Sequence, residues 1–330
     1  MNVSQPCFAE PASPAPLAAV TGATGFIGRH LVAALAQAGW RTRLLLRREP
    51  DESQWRALRP QVVAGSLGDE AALARLVHGA DAVIHLAGLI KAARRSDFFQ
   101  VNRDAAQSMA LTVQRLAPQA HFLLVSSLAA REPALSDYAA SKLAGEAAVL
   151  SVLGSRATVL RPPAVYGPGD RETLLFFRLA SGHWVPLLGG SDARVAMIHV
   201  QDLSRLIVRL LATSPRGEVL AAADGRPDGY RWDELLGTAA QAVGNQTPRF
   251  VRAPLSLLGG VALVGDLARA MGSTSMLSSQ KLRELRHPDW SVPLNELTQP
   301  PGWAAHFDLV SGFADAVAWY RSAGWLPSRG

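Results

Sequence analysis

From Leu17 to about Leu160, short apolar runs alternate with longer segments of helical character. The runs are LAAV, TRLLL, VVAG, DAVIHLAG, HFLLVSS and ATVLRP. Strands of a parallel sheet, buried on both faces, read as continuous apolar runs of this kind. Their alternation with helices predicts an α/β fold built on a doubly wound parallel sheet. After about Pro162 the pattern loosens. Glycine and proline become frequent in RPPAVYGPGD, VPLLGGSD and AADGRPDG. Helical stretches return at Gln201–Ala212, Trp232–Val243 and Val310–Ser322. The expected organisation is a Pro- and Ala-rich disordered tail over residues 1–16, a sheet-forming domain over 17–165, and a smaller lobe over 166–330. That lobe is expected to interleave with the sheet and cap its carboxyl edge.

The stretch LAAVTGATGFIGRHLVAAL carries the first chemistry. Gly22, Gly25 and Gly28 follow an apolar strand at spacings of three, and Ile27, Leu31 and Leu35 then repeat as one helical face. The glycines therefore sit at a strand-to-helix turn. Glycine there permits a tight turn and close approach to a pyrophosphate, while the helix start presents N–H groups to the anion. This predicts a Rossmann dinucleotide site with Gly22, Thr24, Gly25, Phe26, Ile27 and Gly28 in contact with the cofactor. A ligand-free glycine turn is the plainer alternative. The second strand ends in Arg47 and Arg48, where an acidic residue would bind a ribose 2′-hydroxyl. Arginine suits a 2′-phosphate instead. NADP(H) is expected ahead of NAD(H), unless the two arginines merely solvate a strand end.

Bulk properties narrow the setting. A chain of 330 residues that is 48% hydrophobic can bury a sizeable core. The lone cysteine, Cys7, allows no disulfide framework, and the first residues lack the basic start and apolar run of a secretory signal. A cytoplasmic setting is expected. The net charge is +6 and nearly all the positive charge is arginine, which suits phosphate groups or an anionic lipid surface, such as the inner face of a membrane. A compositional preference for arginine explains it equally well. No basic stretch is interleaved with aromatics, so nucleic acid is disfavoured as a partner. No apolar stretch reaches the roughly 18–20 residues a membrane span needs. The nearest is Leu255–Val264, read as a buried or an interfacial helix. No His, Cys, Asp or Glu set has metal-ligand spacing.

The fifth strand ends at Ser126 and Ser127. In SDYAASKLAGEAAVL, a helix starting near Ser136 or Asp137 carries Tyr138 and Lys142 on one face. A free tyrosine titrates near ~10, too high for a base at neutral pH. A neighbouring ammonium would favour the phenolate.

TGATGFIG, DAVIHLAG, a VN pair after a helix, VSS, YAASK and RPPAVYGPGD stand in the order seen in extended short-chain dehydrogenase/reductases. The chain resembles that family from about Leu17 to the end. The resemblance implies that Tyr138 is the general acid/base and that Lys142 holds the nicotinamide ribose and lowers the tyrosine pKa. Ser127 would hydrogen-bond the reacting oxygen, with Ser126 a main-chain neighbour of the cofactor, or the two serines would exchange these roles. Asn102 would tie the central strands to the helix near the site. Leu67, Leu86, Ala87, Gly88, Pro162 and Val165 would line the cofactor. His85, His199 and Asp202 would be structural. Relatives often bind the adenine amine with an aspartate where this chain has Ser66, three residues before Asp69. Family members often form homodimers through a contact that includes the YxxxK helix.

The implied reaction is reduction of a ketone by hydride transfer, with Tyr138 giving the proton. Leu128, Ala129 and Ala130 after the serines speak against dehydration, and RPPAVYGP lacks the asparagine common in nucleotide-sugar enzymes. Leu89, Ile90, Phe98, Phe99, Trp184, Val185, Leu187, Leu188 and Leu255–Val264 suggest an apolar substrate wall, or in part ordinary core. The pattern is similar to lipid- and steroid-directed members, among them the bacterial ceramide reductases, which act on a 3-keto-sphingolipid. A nucleotide-sugar epimerase and a non-catalytic nucleotide-binding accessory subunit stay open as alternatives.

Overall fold

The computed structural model describes residues 14–48, 55, 57–187, 190, 192–252, 260, 265–266 and 278–328. The apolar runs form β1 (Leu17–Thr21), β2 (Arg41–Leu46), β3 (Gln61–Ala64), β4 (Ala82–His85), β5 (His121–Val125) and β6 (Ala157–Arg161). The later strands are β7 (Ala164–Tyr166), β8 (Trp184–Leu187), β9 (Arg194–Val195), β10 (Met197–His199), β11 (Val219–Ala221), β12 (Tyr230–Arg231), β13 (Arg249–Arg252) and β14 (Asp289–Trp290). The helices are α1 (Phe26–Gln37), α2 (Glu70–Val77), α3 (Arg95–Phe99), α4 (Ala105–Leu116), α5 (Asp137–Leu153), α6 (Leu174–Ala180), α7 (Val200–Leu211), α8 (Trp232–Val243), α9 (Ser279–Arg286) and α10 (Leu309–Ser322).

Seven strands make one sheet in the order β11-β6-β5-β4-β1-β2-β3, and every neighbouring pair is parallel. The chain steps outward from β1 to β3, then returns to the far side of β1 as β4. This reversal is a topological switch point, and its crevice opens at the carboxyl ends of the strands. All residues of β1, β4, β5 and β6 are buried, which is why their sequences are apolar without alternation.

Side chains still alternate across the sheet, and each face has its own core. On one face Leu31 and Leu35 of α1 and Leu203, Leu206 and Ile207 of α7 cover Val20, Ile84, Leu123 and Leu160. On the other, Leu73 and Leu76 of α2, Met109 and Val113 of α4 and Val149 of α5 cover Ala19, Val83, Phe122 and Val159. A third cluster, with Tyr166, Phe177, Phe313 and Tyr320, closes the C-terminal lobe. Strand β11, from the second half of the chain, pairs with β6 and completes the sheet.

Two local features position the site. Between α3 and α4 the helix widens into a π turn over Gln100–Asp104, with Asn102 buried inside it. Such turns interrupt the regular ladder and often carry functional groups. Helix α5 starts at Ser136, whose hydroxyl accepts from the Ala139 N–H at 3.0 Å, and ends before Gly154 at φ +53°.

Candidate active site

The glycine loop is shaped by close contacts. Gly22 has φ +75°, and a Cβ there would lie 2.7 Å from the Ala87 nitrogen. A Cβ on Gly28 would lie 2.2 Å from the Gly22 carbonyl oxygen. Glycine is thus required for β1, α1 and the end of β4 to meet. Gly25 is the N-cap of α1, and no side chain caps its free N–H groups. An uncapped helix start facing the crevice fits the pyrophosphate of a dinucleotide. Thr24 and Gly25 are exposed, and Phe26 and Ile27 are half-buried. Arg47 and Arg48 are exposed just beyond β2, at the same edge. Ala87 is half-buried and Gly88 exposed after β4, and Leu86 and Val165 pack partly against the core. Leu67 leans on the opposite core face. Pro162 is buried, and its carbonyl accepts from Leu128 N–H at 2.8 Å. Asp69 serves as the N-cap of α2, accepting from Ala72 N–H at 2.9 Å.

Ser127, Tyr138 and Lys142 converge at the carboxyl end of β5. The Tyr138 hydroxyl hydrogen-bonds the Ser127 side chain. Lys142 Nζ donates to the Val125 carbonyl at 2.8 Å. A Cβ on Gly88 would lie 3.8 Å from that Nζ, so the strand end after β4 passes directly over the lysine. Asn102 clamps this arrangement. Its Nδ2 donates to the Leu89 carbonyl at 3.0 Å and to Ser141 Oγ at 2.9 Å, and its Oδ1 accepts from Leu89 N–H at 2.8 Å. Ser141 in turn donates to the Tyr138 carbonyl at 2.7 Å. Gly145 makes the clamp feasible, because a Cβ there would lie 2.1 Å from the Asn102 carbonyl oxygen.

The electrostatics differ from the simple lysine–tyrosine picture. Burial pushes the Tyr138 phenol up to about 12, aided by the Glu284 carboxylate and opposed by the Ser127 hydrogen bond. Burial lowers Lys142 to about 8, and Glu146 resists that drop. Desolvation, and not the neighbouring ammonium, therefore sets the phenol. At neutral pH the site presents a protonated phenol, an ammonium and a hydroxyl around one point. That set can polarise and protonate an oxygen.

The chain matches the profile of the NAD dependent epimerase/dehydratase family over residues 18–223. It is 48% identical over 313 residues to a ceramide reductase from Caulobacter vibrioides, spanning 94% of this chain and 96% of that protein. The chain belongs to the NAD dependent epimerase/dehydratase family, the extended short-chain dehydrogenase/reductases. It is an NAD(P)-dependent oxidoreductase of that family. A more distant relative, at 28% identity, is the mitochondrial NADH dehydrogenase [ubiquinone] 1 alpha subcomplex subunit 9 of Arabidopsis thaliana, matched over 76% of this chain and 63% of that protein. The fold is shared with the dTDP-glucose 4,6-dehydratase DesIV of Streptomyces venezuelae, solved with NAD and TYD bound. The TM-score is 0.70 at 22% identity, covering 94% of this chain and 99% of that one.

Within this dehydrogenase/reductase His85, His199 and Asp202 each have a partner in the fold. His85 is buried with Nδ1 2.9 Å from Thr21 Oγ1, and burial pushes it down to about 3. It is therefore neutral. His199 lies tilted against Phe307, with ring centroids 3.8 Å apart. Asp202 accepts from the His306 and Phe307 N–H groups at 3.0 and 2.9 Å. Among the described residues, no group of three or more His, Cys, Asp or Glu could hold a metal ion.

The apolar wall divides. Phe98 is buried and lies 6.3 Å from the Tyr138 ring. Phe99 lies under Arg95 and Arg103. Leu89 is half-buried in the loop that Asn102 holds. Val185 is wholly buried with Trp232 and Leu236, and Leu187 packs on the same cluster, so both are core. Ile90 and Trp184 are 59% and 58% exposed. Leu188 and, apart from Gly260, Leu255–Val264 lie outside the described residues.

Three site residues escaped the sequence reading. Ser126 Oγ donates to Glu146, and Arg161 grips Glu146 with Nε and Nη2 at 2.9 and 2.6 Å. Glu284 of α9 accepts from Ser136 Oγ, at the start of the tyrosine helix. Glu146 left a signal, standing four residues after Lys142 and eight after Tyr138 on one helical face. Glu284 left none, since it lies 148 positions beyond Ser136.

Proposed function

We propose that this enzyme reduces a ketone to an alcohol on a hydrophobic, lipid-like substrate, of the 3-keto-sphingolipid or ceramide class. The observation that carries this reading is the 48% identity to a ceramide reductase along nearly the whole chain, joined to the Ser127–Tyr138–Lys142 cluster. When bound, the dinucleotide supplies the hydride. Tyr138, protonated at neutral pH, gives its proton to the carbonyl oxygen as that oxygen gains charge. Ser127 orients the same oxygen. Lys142 holds the nicotinamide ribose, and its ammonium stabilises the phenolate left behind. Asn102 keeps α5 and the Leu89 loop in register for this. The glycine loop binds pyrophosphate, and Arg47 and Arg48 favour NADP(H) over NAD(H) through a 2′-phosphate. We assign residues 17–165 mainly to the dinucleotide and 166–330 mainly to the substrate. Among the described residues, no helix is long and apolar enough to cross a membrane. The basic surface suits transient contact with an anionic bilayer.

The deciding experiment follows NADPH oxidation by the purified protein with a 3-keto-sphingolipid in detergent and, separately, a UDP-sugar. Products are read by mass spectrometry, with Tyr138→Phe as control. Tyrosine-dependent reduction of the ketolipid is the expected result. Conversion of the sugar alone would return the chain to the epimerases. Tight NADPH binding without turnover would favour an accessory role, although Tyr138 and Lys142 are both present here. Replacing Arg47 and Arg48 with alanine should raise KM for NADPH about tenfold, as expected for loss of about 1.4 kcal/mol of phosphate contact, and leave NADH unaffected.

A further inference from the structure

We infer that Glu146 is a positioning residue for this site: its one carboxylate braces the Ser126–Ser127 corner, anchors the Arg161–Pro162 turn and faces the Lys142 ammonium one helical turn away. The inference rests on the reductase reading of the site.

The geometry converges from three elements. Glu146 lies on α5, is 2% exposed, and takes the Ser126 hydroxyl from the end of β5. From the end of β6, Arg161 binds it with two N–H groups and reaches Glu296 with a third contact at 3.4 Å. Ser127, Pro162 and Lys142, the groups assigned to substrate and nicotinamide, stand beside Ser126, Arg161 and Glu146 in turn. A buried ion pair of this kind adds little net stability, because desolvating both charges offsets their attraction. Its value lies in geometry and in charge placement.

Lys142 is where the charge matters. Tyr138 and Glu146 on its own helix, His85 on β4, Asn102 on the π turn and the Val125 carbonyl on β5 stand around it, with Arg161 of β6 behind Glu146. The phenol and the buried His85 are neutral at pH 7. Glu146 is the charge that acts on the lysine, and it opposes the effect of burial. Without it, Lys142 would lose its proton at a lower pH, and the ammonium that supports the ribose and phenolate would be absent.

The chain has three lysines, Lys91, Lys142 and Lys281. Labelling with [13Cε]lysine therefore gives three resonances to titrate by NMR, with Lys142 assigned by its absence in Lys142→Met. Wild type should titrate near pH 8, and Glu146→Gln about one unit lower, the size of effect a close opposite charge exerts. The alkaline limb of kcat/KM for ketone reduction should move with it. Glu296→Gln, which also deprives Arg161 of a partner, should leave both unchanged. Should Glu146→Gln fail to fold, Glu146→Gln/Arg161→Met removes the stranded cation and should shift Lys142 in the same direction by less. An unmoved Lys142 titration and pH profile in the folded variant would reduce Glu146 to a structural brace and overturn the inference. A shifted Lys142 in a protein inactive on every ketone would uphold the effect of Glu146 on the lysine charge and reject the reductase reading.

Discussion

The two edges of the central sheet use the same residue types for opposite ends. At the carboxyl edge, glycines bring backbones together, a helix start is left uncapped, and Lys142, Tyr138, Glu146 and Arg161 are drawn inward. At the amino edge the basic groups do something else. Arg43 donates to the carbonyls of Arg75, Leu76 and His78 at 3.1, 3.1 and 2.6 Å, satisfying the end of α2. Arg41 donates to the Ala15 carbonyl at 2.9 Å. A cavity of about 540 Å³ opens there, lined by Gln37, Trp40, Arg41, Leu58, Arg59 and Gln61. It has volume without convergent chemistry. The difference follows from topology. In an all-parallel sheet, helices return with their amino ends toward the carboxyl edge, so free N–H groups gather there and free carbonyls gather at the other. Arginine at one edge answers the protein's own carbonyls. At the other edge Arg161 answers carboxylates of the fold, while the exposed Arg47 and Arg48 can answer a ligand.

The largest effect should come from Tyr138→Phe. Ketone reduction should fall by about 10²–10⁴-fold, the usual weight of a positioned acid, while dinucleotide affinity measured by fluorescence stays near wild type. Equal loss of binding and turnover would mean that the phenol holds the cleft together and does not serve chemistry.

Gly145→Ala comes next. The added carbon has no room against the Asn102 carbonyl, so α5 must move off the π turn. Chemical denaturation should show about 1–3 kcal/mol lost, with activity falling further than stability. Unchanged turnover would separate the clamp from the site.

Lys142→Met should split function from stability. The lysine's ordinary pKa of 10.5 is lowered to about 8 in the fold, so between those values the unfolded chain binds more protons. Stability must then rise as pH climbs from about 8 to 10.5, and the burden is fully present at neutral pH. Removing the charge should stabilise the protein at pH 7 by up to about 3 kcal/mol less the lost bond to Val125, raising the thermal midpoint, while reduction is impaired. A lower midpoint would show that this bond outweighs the buried charge.

The smallest effect belongs to the amino edge. Arg59 lies at φ +43°, a left-handed conformation that glycine adopts without strain. Arg59→Gly should stabilise the protein by about 0.5–1 kcal/mol, with kcat and KM unchanged. A loss of activity would give the amino-edge cavity a role in the reaction that its chemistry does not suggest.

Short-range pattern was enough for much of this protein. Runs buried on both faces announced the parallel strands. Three glycines between a strand and an apolar helical face announced the tight strand-to-helix turn. A tyrosine and a lysine four apart announced their shared face. Each signal spans a few residues, and a strand or helix converts such spacing directly into direction. The folded chain alone decided the rest. It turned Ser126 inward to Glu146 and left Ser127 with the phenol. It made desolvation outweigh the ammonium in setting Tyr138. It sent Val185 to the core while leaving Trp184 in water, and it brought Glu284 from far along the chain to the start of the tyrosine helix. Buried charge and hydrogen bonding depend on which distant elements exclude water together, and no local period in the sequence encodes that.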